Sequence, residues 1–285
     1  MENYTESTGN LSGKGGISLY WHSCTVEKPL GLVILVHGLG EYGGRYSNLI
    51  NRLQGENISF YTVDHRGHGR SQGKRGHLEY FLDYIEDLKL LVDMAHNQHP
   101  ELPLIMLGHS MGGAIAARYA LEHPADIDAL ILSAAGIKPK RAVPGWQDRL
   151  ARFLSRVAPA ATFPNGLSAD DLSHDPQVVK DYVDDPLVHN KITARWYTEM
   201  LNNSQQVLSR APELAMPLLV IHGEGDRIVD ISGSEQIFKA AGTADKQYKT
   251  FPGLYHETMN EKQADREEVL NVIASWIIAY LGQKN

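Results

Sequence analysis

Five short runs of this chain are apolar or β-branched almost throughout, with no polar alternation: LGLVILV (30–36), ISFYTV (58–63), LIML (104–107), ALIL (129–132) and PLLVI (217–221). A strand with one face in water alternates polar and apolar residues, so uniform runs suit strands buried on both faces of a parallel sheet. Between them the period changes. Residues 79–96 place Phe81, Leu82, Ile85, Leu88, Val92 and Ala95 close to a 3.6-residue repeat, and 114–121 and 263–280 behave alike. Parallel strands joined through helices require right-handed crossovers, which predicts an α/β fold with a mostly parallel central sheet flanked by helices. Ligands of such sheets bind at the carboxyl ends of the strands.

One stretch breaks the alternation. Residues 137–212 show no strand pattern and carry prolines at 139, 144, 159, 164, 176 and 186, besides the Pro212 that closes the stretch. Helices are predicted over 146–157, 176–183 and 192–208, as an insertion lying over the carboxyl edge of the sheet. A disordered linker is the alternative, but Trp146, Phe153, Leu154, Tyr182, Trp196 and Tyr197 need partners to pack against. The expected division is therefore a core of 1–136 and 213–285 and a helical cap of 137–212.

Charge narrows the partners. Lysine and arginine total 27 against 34 acidic residues, a formal charge of −7, where a nucleic-acid-binding surface usually shows a basic excess. A single cysteine, Cys24, rules out an intrachain disulfide and a cysteine-based zinc site. The first ten residues are polar and lack the apolar segment of a secretory leader, so a cytoplasmic location is expected. The apolar stretch 270–281 is too short to span a bilayer and reads as a terminal helix packed on the sheet.

The chemistry is concentrated at LGHSMGGAI (107–115), where Ser110 sits between Gly108 and Gly112, after a strand and before a helix. A serine on such a turn is held in a strained backbone, and bulk two residues away on either side would collide with it. The helix that follows directs its N-terminal amides toward the serine oxygen. A nucleophilic serine needs a base, and the base an orienting acid, in the chain order serine, acid, histidine. In LLVIHGEGD (218–226) Asp226 lies just past a core strand, with Glu224 and Asp230 as competitors; Asp230 is better placed to open the next helix. Of 13 histidines, His256 alone follows Asp226, in the loop beyond the strand KQYKTF (246–251). Two backbone amides should hold an oxyanion: Met111, after the serine, and Leu39, in the loop after the first core strand.

These residues carry a resemblance. HGLGEYGGRY (37–46), DHRGHGRS (64–71), GHSMGG (108–113), GEGDRIV (223–229) and Tyr255-His256 are similar to the α/β-hydrolase superfamily, and within it to the monoacylglycerol lipase and lysophospholipase group. LSHD (172–175) and YVDDPL (182–187) extend the likeness into the cap. The resemblance implies an α/β-hydrolase fold with a helical cap inserted over the active site, and a triad of Ser110, Asp226 and His256. It also implies Glu41, Arg45 and Tyr182 near the polar end of a ligand site. For Glu41 and Arg45 the other reading is an ion pair that braces the oxyanion loop. DHRGHGRS resembles a structural turn, despite its two histidines.

The implied activity is hydrolysis of a small lipid ester, a monoacylglycerol, to glycerol and a fatty acid through an acyl-enzyme, with no metal or cofactor called for and with transient cap contact to a membrane or micelle surface. Lysophospholipase and short- or medium-chain carboxylesterase keep the same triad. An aminopeptidase would need a carboxylate for the substrate's amino terminus, and Asp170, Asp171, Asp184 and Asp185 keep that reading open, as does a ligand-binding protein on the same scaffold. An ordinary imidazole at His256 would place the loss of activity below about pH 6.5.

Overall fold

In the computed structural model, which describes residues 4–284, a hairpin of β1 (Thr5–Ser12) and β2 (Ser18–Thr25) opens the chain. β3 (Gly31–Val36), α1 (Ser47–Arg52), β4 (Ile58–Val63), α2 (Leu82–Gln98), β5 (Leu104–His109), α3 (Met111–Glu122) and β6 (Ala129–Ser133) follow. Next come α4 (Gly145–Val157), β7 (Thr162–Pro164), α5 (Pro176–Asp184), β8 (Lys191–Thr193) and α6 (Ala194–Arg210). β9 (Leu218–Gly223), α7 (Ile231–Ala240), β10 (Lys246–Phe251) and α8 (Gln263–Gly282) complete the order.

The main sheet runs β1-β2-β4-β3-β5-β6-β9-β10. β4 to β10 are parallel, and the hairpin adds antiparallel through β2. The uniformly apolar runs explain the layering. Side chains alternate across a strand, so Leu32, Ile34 and Val36 enter the core beneath α2 and α3, while Val33 and Leu35 enter the core beneath α1 and α8. Leu104 and Met106 divide from Ile105 and Leu107 in the same way, as do Leu218 and Val220 from Leu219 and Ile221.

The predicted core strands and helices form, with differences of a few residues at their ends, and α1 is an addition that the sequence pattern did not show. Leu82 points outward, and Tyr84 and Leu91, outside the predicted repeat, join Ile85 and Leu88 on the inner face of α2. The hairpin was not predicted, because β1 (TESTGNLS) is polar and mostly exposed; its ladder of backbone hydrogen bonds, turned at Gly15 and Gly16 with φ of 80° and 74°, carries it.

Between β6 and β9 the three predicted helices form, α5 capped by Asp175 with Pro176 in its first turn and α6 capped by Thr193. The same stretch also holds a two-strand ribbon, β7 paired antiparallel with β8, three residues a side and too short to leave a pattern. The 270–281 stretch lies in α8 and buries Leu270, Ile273, Trp276 and Ile277 against the sheet. No helix among the described residues is long and apolar enough to cross a membrane.

The segment DHRGHGRS is a brace. Asp64 accepts from the amides of Gly43 (3.0 Å) and Arg70 (2.8 Å), and Arg66 makes a bidentate pair with buried Asp87 at 2.6 and 2.7 Å. Asp87→Ala leaves Arg66 only Asp83, at 3.4 Å. An uncompensated buried charge costs about 3–5 kcal/mol. Urea unfolding should show a loss of that order, with the activity per folded molecule retained; an unchanged midpoint would mean that the pair holds nothing.

Candidate active site

Ser110 closes the link between β5 and α3 with φ 55° and ψ −121°, one of three non-glycine residues with positive φ among the described residues. Such a backbone costs on the order of 1–3 kcal/mol and persists only when its surroundings over-determine it. Here its amide donates to Ser133 O (2.9 Å), and its carbonyl accepts from the amides of Gly113, Ala114 and Gly136 at 2.9, 3.2 and 2.7 Å. The flanking glycines are steric necessities. A Cβ on Gly108 would stand 2.3 Å from Gly112 O, and one on Gly112 only 2.0 Å from Val36 O.

Asp226 lies in the turn after β9. Its Oδ1 accepts from the amides of Ile228 (2.7 Å) and Val229 (2.9 Å), leaving Oδ2 to face His256 Nδ1 at 2.7 Å. A carboxylate acceptor fixes the proton on Nδ1, so Nε2 presents its lone pair to the Ser110 hydroxyl, 2.9 Å away. All three residues predicted as a triad thus meet in one hydrogen-bonded chain. Glu224 instead accepts from Thr250, and Asp230 caps α7.

Burial by itself would raise the Asp226 pKa, but the His256 and His222 imidazoles hold it well below the usual carboxylate range. For His256 burial works downward, and the Asp226 charge and hydrogen bond overcome it, raising its pKa above the ordinary 6.5. His109, whose ring centroid lies 4.8 Å from that of His256, is pushed down to about 4 by burial and by His256, and stays neutral. His222 Nε2 lies 3.2 Å from Asp226 Oδ2, and its Nδ1 is 2.8 Å from Ser234 Oγ.

Among the described residues the amides of Leu39 and Met111 donate to no protein acceptor, and both residues line the same cavity as Ser110. Leu39 is carried on a loop clamped from within. Glu41 Oε1 accepts from Gly38 N (2.6 Å) and from the Tyr46 hydroxyl (3.0 Å), and its Oε2 accepts from Arg45 (2.9 Å). Arg45 also makes a bidentate pair with Glu257 at 2.6 and 2.9 Å and lies 4.8 Å over the Tyr182 ring.

Glu41, Arg45 and Tyr182, expected at the ligand, are therefore absent from the wall of the large cavity. The polar groups of Glu41 and Arg45 are engaged in bracing the loop, as their alternative reading has it, while the Tyr182 ring lies under the Arg45 guanidinium. Glu257 was missed by sequence reasoning; its only signal is its place directly after His256.

The cavity holds about 730 Å³ and extends from Ser110 to α4 and α6, within the roughly 300–1,000 Å³ typical of ligand sites. Its walls are mainly apolar, with Ile137, Leu154, Ile192, Trp196 and Met200, while Val143, Trp146, Leu150 and Leu167 line it and also reach solvent, forming a mouth. Asp171 is the one carboxylate on the wall, and it faces Arg227 (3.6 Å) and Arg141 (4.0 Å). Asp170 and Asp184 are exposed, and Asp185 accepts from the Tyr42 hydroxyl (2.8 Å). No group of three or more histidine, cysteine, aspartate or glutamate side chains among the described residues is arranged to hold a metal ion.

Comparison with known proteins adds to this geometry. The model of the family described as serine aminopeptidase S33 matches residues 27–263. The sequence is 38% identical over 283 residues to a monoacylglycerol lipase of Mycolicibacterium smegmatis, covering 99% of this chain and 100% of the relative. It is 30% identical over 270 residues to the monoglyceride lipase of Homo sapiens, covering 94% of this chain and 88% of that protein. The crystal structure of a Paleococcus ferrophilus monoacylglycerol lipase matches with a TM-score of 0.84 at 32% identity, over 92% of this chain and 98% of that one.

The raised pKa of His256 has a measurable sign. A base acts only when neutral, so any reaction that depends on its lone pair is lost as pH falls through a value above 6.5, higher than an ordinary imidazole would give. Titration of the His256 ring protons by NMR should place the midpoint there. A midpoint below 6.5 would show that Asp226 does not stabilise the imidazolium.

Proposed function

The chain belongs to the serine aminopeptidase S33 family of α/β-hydrolases, alongside the monoacylglycerol lipases, and on that premise we propose that it hydrolyses monoacylglycerols to glycerol and a fatty acid. The observation that carries this reading is the Ser110–His256–Asp226 chain opening into a long apolar cavity. His256 takes the hydroxyl proton as Ser110 attacks the ester carbonyl, and the amides of Leu39 and Met111 hold the oxyanion. Asp226 keeps the imidazole tautomer and stabilises the imidazolium. Collapse breaks the ester C–O bond, and glycerol leaves with the proton from His256. Water, deprotonated by the same imidazole, then attacks the acyl-enzyme and releases the fatty acid and the serine.

The cap segment of 137–212 supplies the walls for the acyl chain. A lipid substrate is favoured over a peptide because the cavity offers apolar surface and no unpaired carboxylate: Asp171 is engaged by two arginines. Ser110→Ala should lower turnover by roughly four to six orders of magnitude with the fold intact, and should abolish labelling by a fluorophosphonate. In a panel of monoacylglycerols, diacylglycerols, lysophospholipids and nitrophenyl esters of graded length, kcat/KM should be highest for a monoacylglycerol. Preference for a lysophospholipid or a short nitrophenyl ester would replace the substrate assignment while leaving the triad in place.

The substrate is a membrane-soluble molecule, and α4 supplies a surface to collect it from. Trp146, Leu150, Phe153 and Val157 recur at helical spacing and are 65, 46, 59 and 61% exposed, a stripe beside the cavity mouth. Arg149, Arg152 and Arg156 are exposed on the same helix. Such an amphipathic helix lies in the interface of a bilayer rather than crossing it. Burying one phenylalanine is worth about 1.5–3 kcal/mol. Phe153→Asp should therefore weaken co-sedimentation with lipid vesicles by roughly tenfold or more, with hydrolysis of a water-soluble nitrophenyl ester unaltered. Equal sedimentation of the two proteins would overturn the docking role of α4.

A further inference from the structure

A glutamate directly after a loop histidine is normally solvated, yet Glu257 is buried, and every polar atom of its carboxylate is engaged. Oε1 and Oε2 accept from Arg45 at 2.6 and 2.9 Å, and Oε2 also accepts from Asn260 Nδ2 at 2.9 Å. Its amide donates to Leu172 O at 2.8 Å, which holds the backbone as well. From there the contacts run in three links to the oxyanion loop: Glu257 to Arg45, Arg45 to Glu41, and Glu41 to the Gly38 amide.

We propose that Glu257 is a positioning residue for hydrolysis, locking the loop that carries the Leu39 amide to the segment that carries His256 and leaving a net negative charge behind the imidazole. This rests on the triad reading above and concerns how that triad is held and tuned.

The charge count supports it. Two buried carboxylates share one guanidinium, and an apolar trio of similar volume would be as stable or more so. A surplus buried charge is therefore better explained by what it acts on. Glu41, Arg45, Glu257 and His109 line one small void of about 10 Å³, and the His109 ring lies against His256. His109 is neutral, so nothing between the cluster and His256 cancels its field.

On the loop that carries His256, Glu261 accepts from the Tyr255 amide at 2.8 Å, and Arg227 lies 4.4 Å over the Tyr255 ring. Asp226 faces His256 Nδ1, with His222 behind, and the nearby phenols of Tyr46 and Tyr182 are held neutral by burial. Glu257 and Glu41 both favour the imidazolium, after Asp226. Removing one negative charge destabilises the protonated ring, so the neutral base survives to lower pH.

The test is Glu257→Gln beside Glu257→Asp, with kcat and KM for a water-soluble nitrophenyl ester measured from roughly pH 5 to pH 9. For E257Q kcat should fall roughly tenfold with KM within about twofold, and the acid limb should move down by about half a pH unit or more. E257D keeps the charge but not the reach; it should lose kcat with its acid limb on that of the wild type. An E257Q limb that superimposes on wild type, or a loss confined to thermal stability, overturns the proposal.

If E257Q does not fold, Glu41→Gln removes the other carboxylate of the same guanidinium; a downward limb supports the proposal and an unmoved one overturns it. Labelling of wild-type Ser110 by a fluorophosphonate is recorded in parallel. Failure of labelling overturns the triad reading and this proposal with it, whereas labelling with an unmoved limb overturns only the role of Glu257.

Discussion

The close approach of α3 to β3 is the constraint on which the site depends. Gly112 lies so near the Val36 and His37 carbonyls that a methyl group could not be inserted, and Gly108 packs on Gly112 in the same way. That proximity lets the chain reverse within one residue at Ser110, in a left-handed conformation that four backbone hydrogen bonds sustain. It also brings the first amide of α3 beside the loop after β3. In the proposed mechanism the Met111 and Leu39 amides serve one oxyanion, which requires those two segments to be in contact. A looser packing would lose the strained serine and the paired amides together.

Electrostatics act on this scaffold in a sequence of buried charges. Asp226 is satisfied by two backbone amides on one oxygen, and its second oxygen faces His256 at 2.7 Å with His222 Nε2 3.2 Å from the same atom. The Glu41–Arg45–Glu257 set performs the matching task for the loop after β3, taking the Gly38 amide, while Leu39 lines the cavity and its amide donates to no acceptor among the described residues. Each functional group is thus oriented by a carboxylate that is itself fully engaged. Preorganisation of this kind keeps reorganisation out of the chemical step.

Much of this was legible from residues alone, because the core obeys local rules. Uniform apolar runs can only be two-sided strands here, and their period-two division between two cores gives the layers. Ser110, Asp226 and His256 could be found because strand ends and chain order restrict them. What escaped was whatever has no local signature. The β1–β2 hairpin is polar and held by backbone pairing, and the β7–β8 ribbon is three residues a side. Glu257 acts through Arg45, more than two hundred residues away in sequence, and no spacing rule connects them. Arg45 and Glu41 were placed near the ligand by the family resemblance, with an ion pair bracing the loop as the other reading. Their hydrogen-bonding capacity is instead spent on each other, on Gly38 and on Glu257.

The insertion between β6 and β9 works under a different requirement from the core, and the amphipathy of its helices shows it. α6 turns Trp196 and Val207 into the core packed on α3, which ties the insertion to the helix that follows Ser110. α4 does the reverse, keeping only Ser155 fully buried and presenting its aromatic and aliphatic stripe outward. A helix that exposes its apolar side meets an apolar phase or leaves that surface unsatisfied. Because Trp146 and Leu150 belong both to that stripe and to the cavity wall, a ligand passing between them need not cross water. In the proposed docking role one helix is both contact surface and doorway, while Ser110 and His256 stay at the edge of the sheet below.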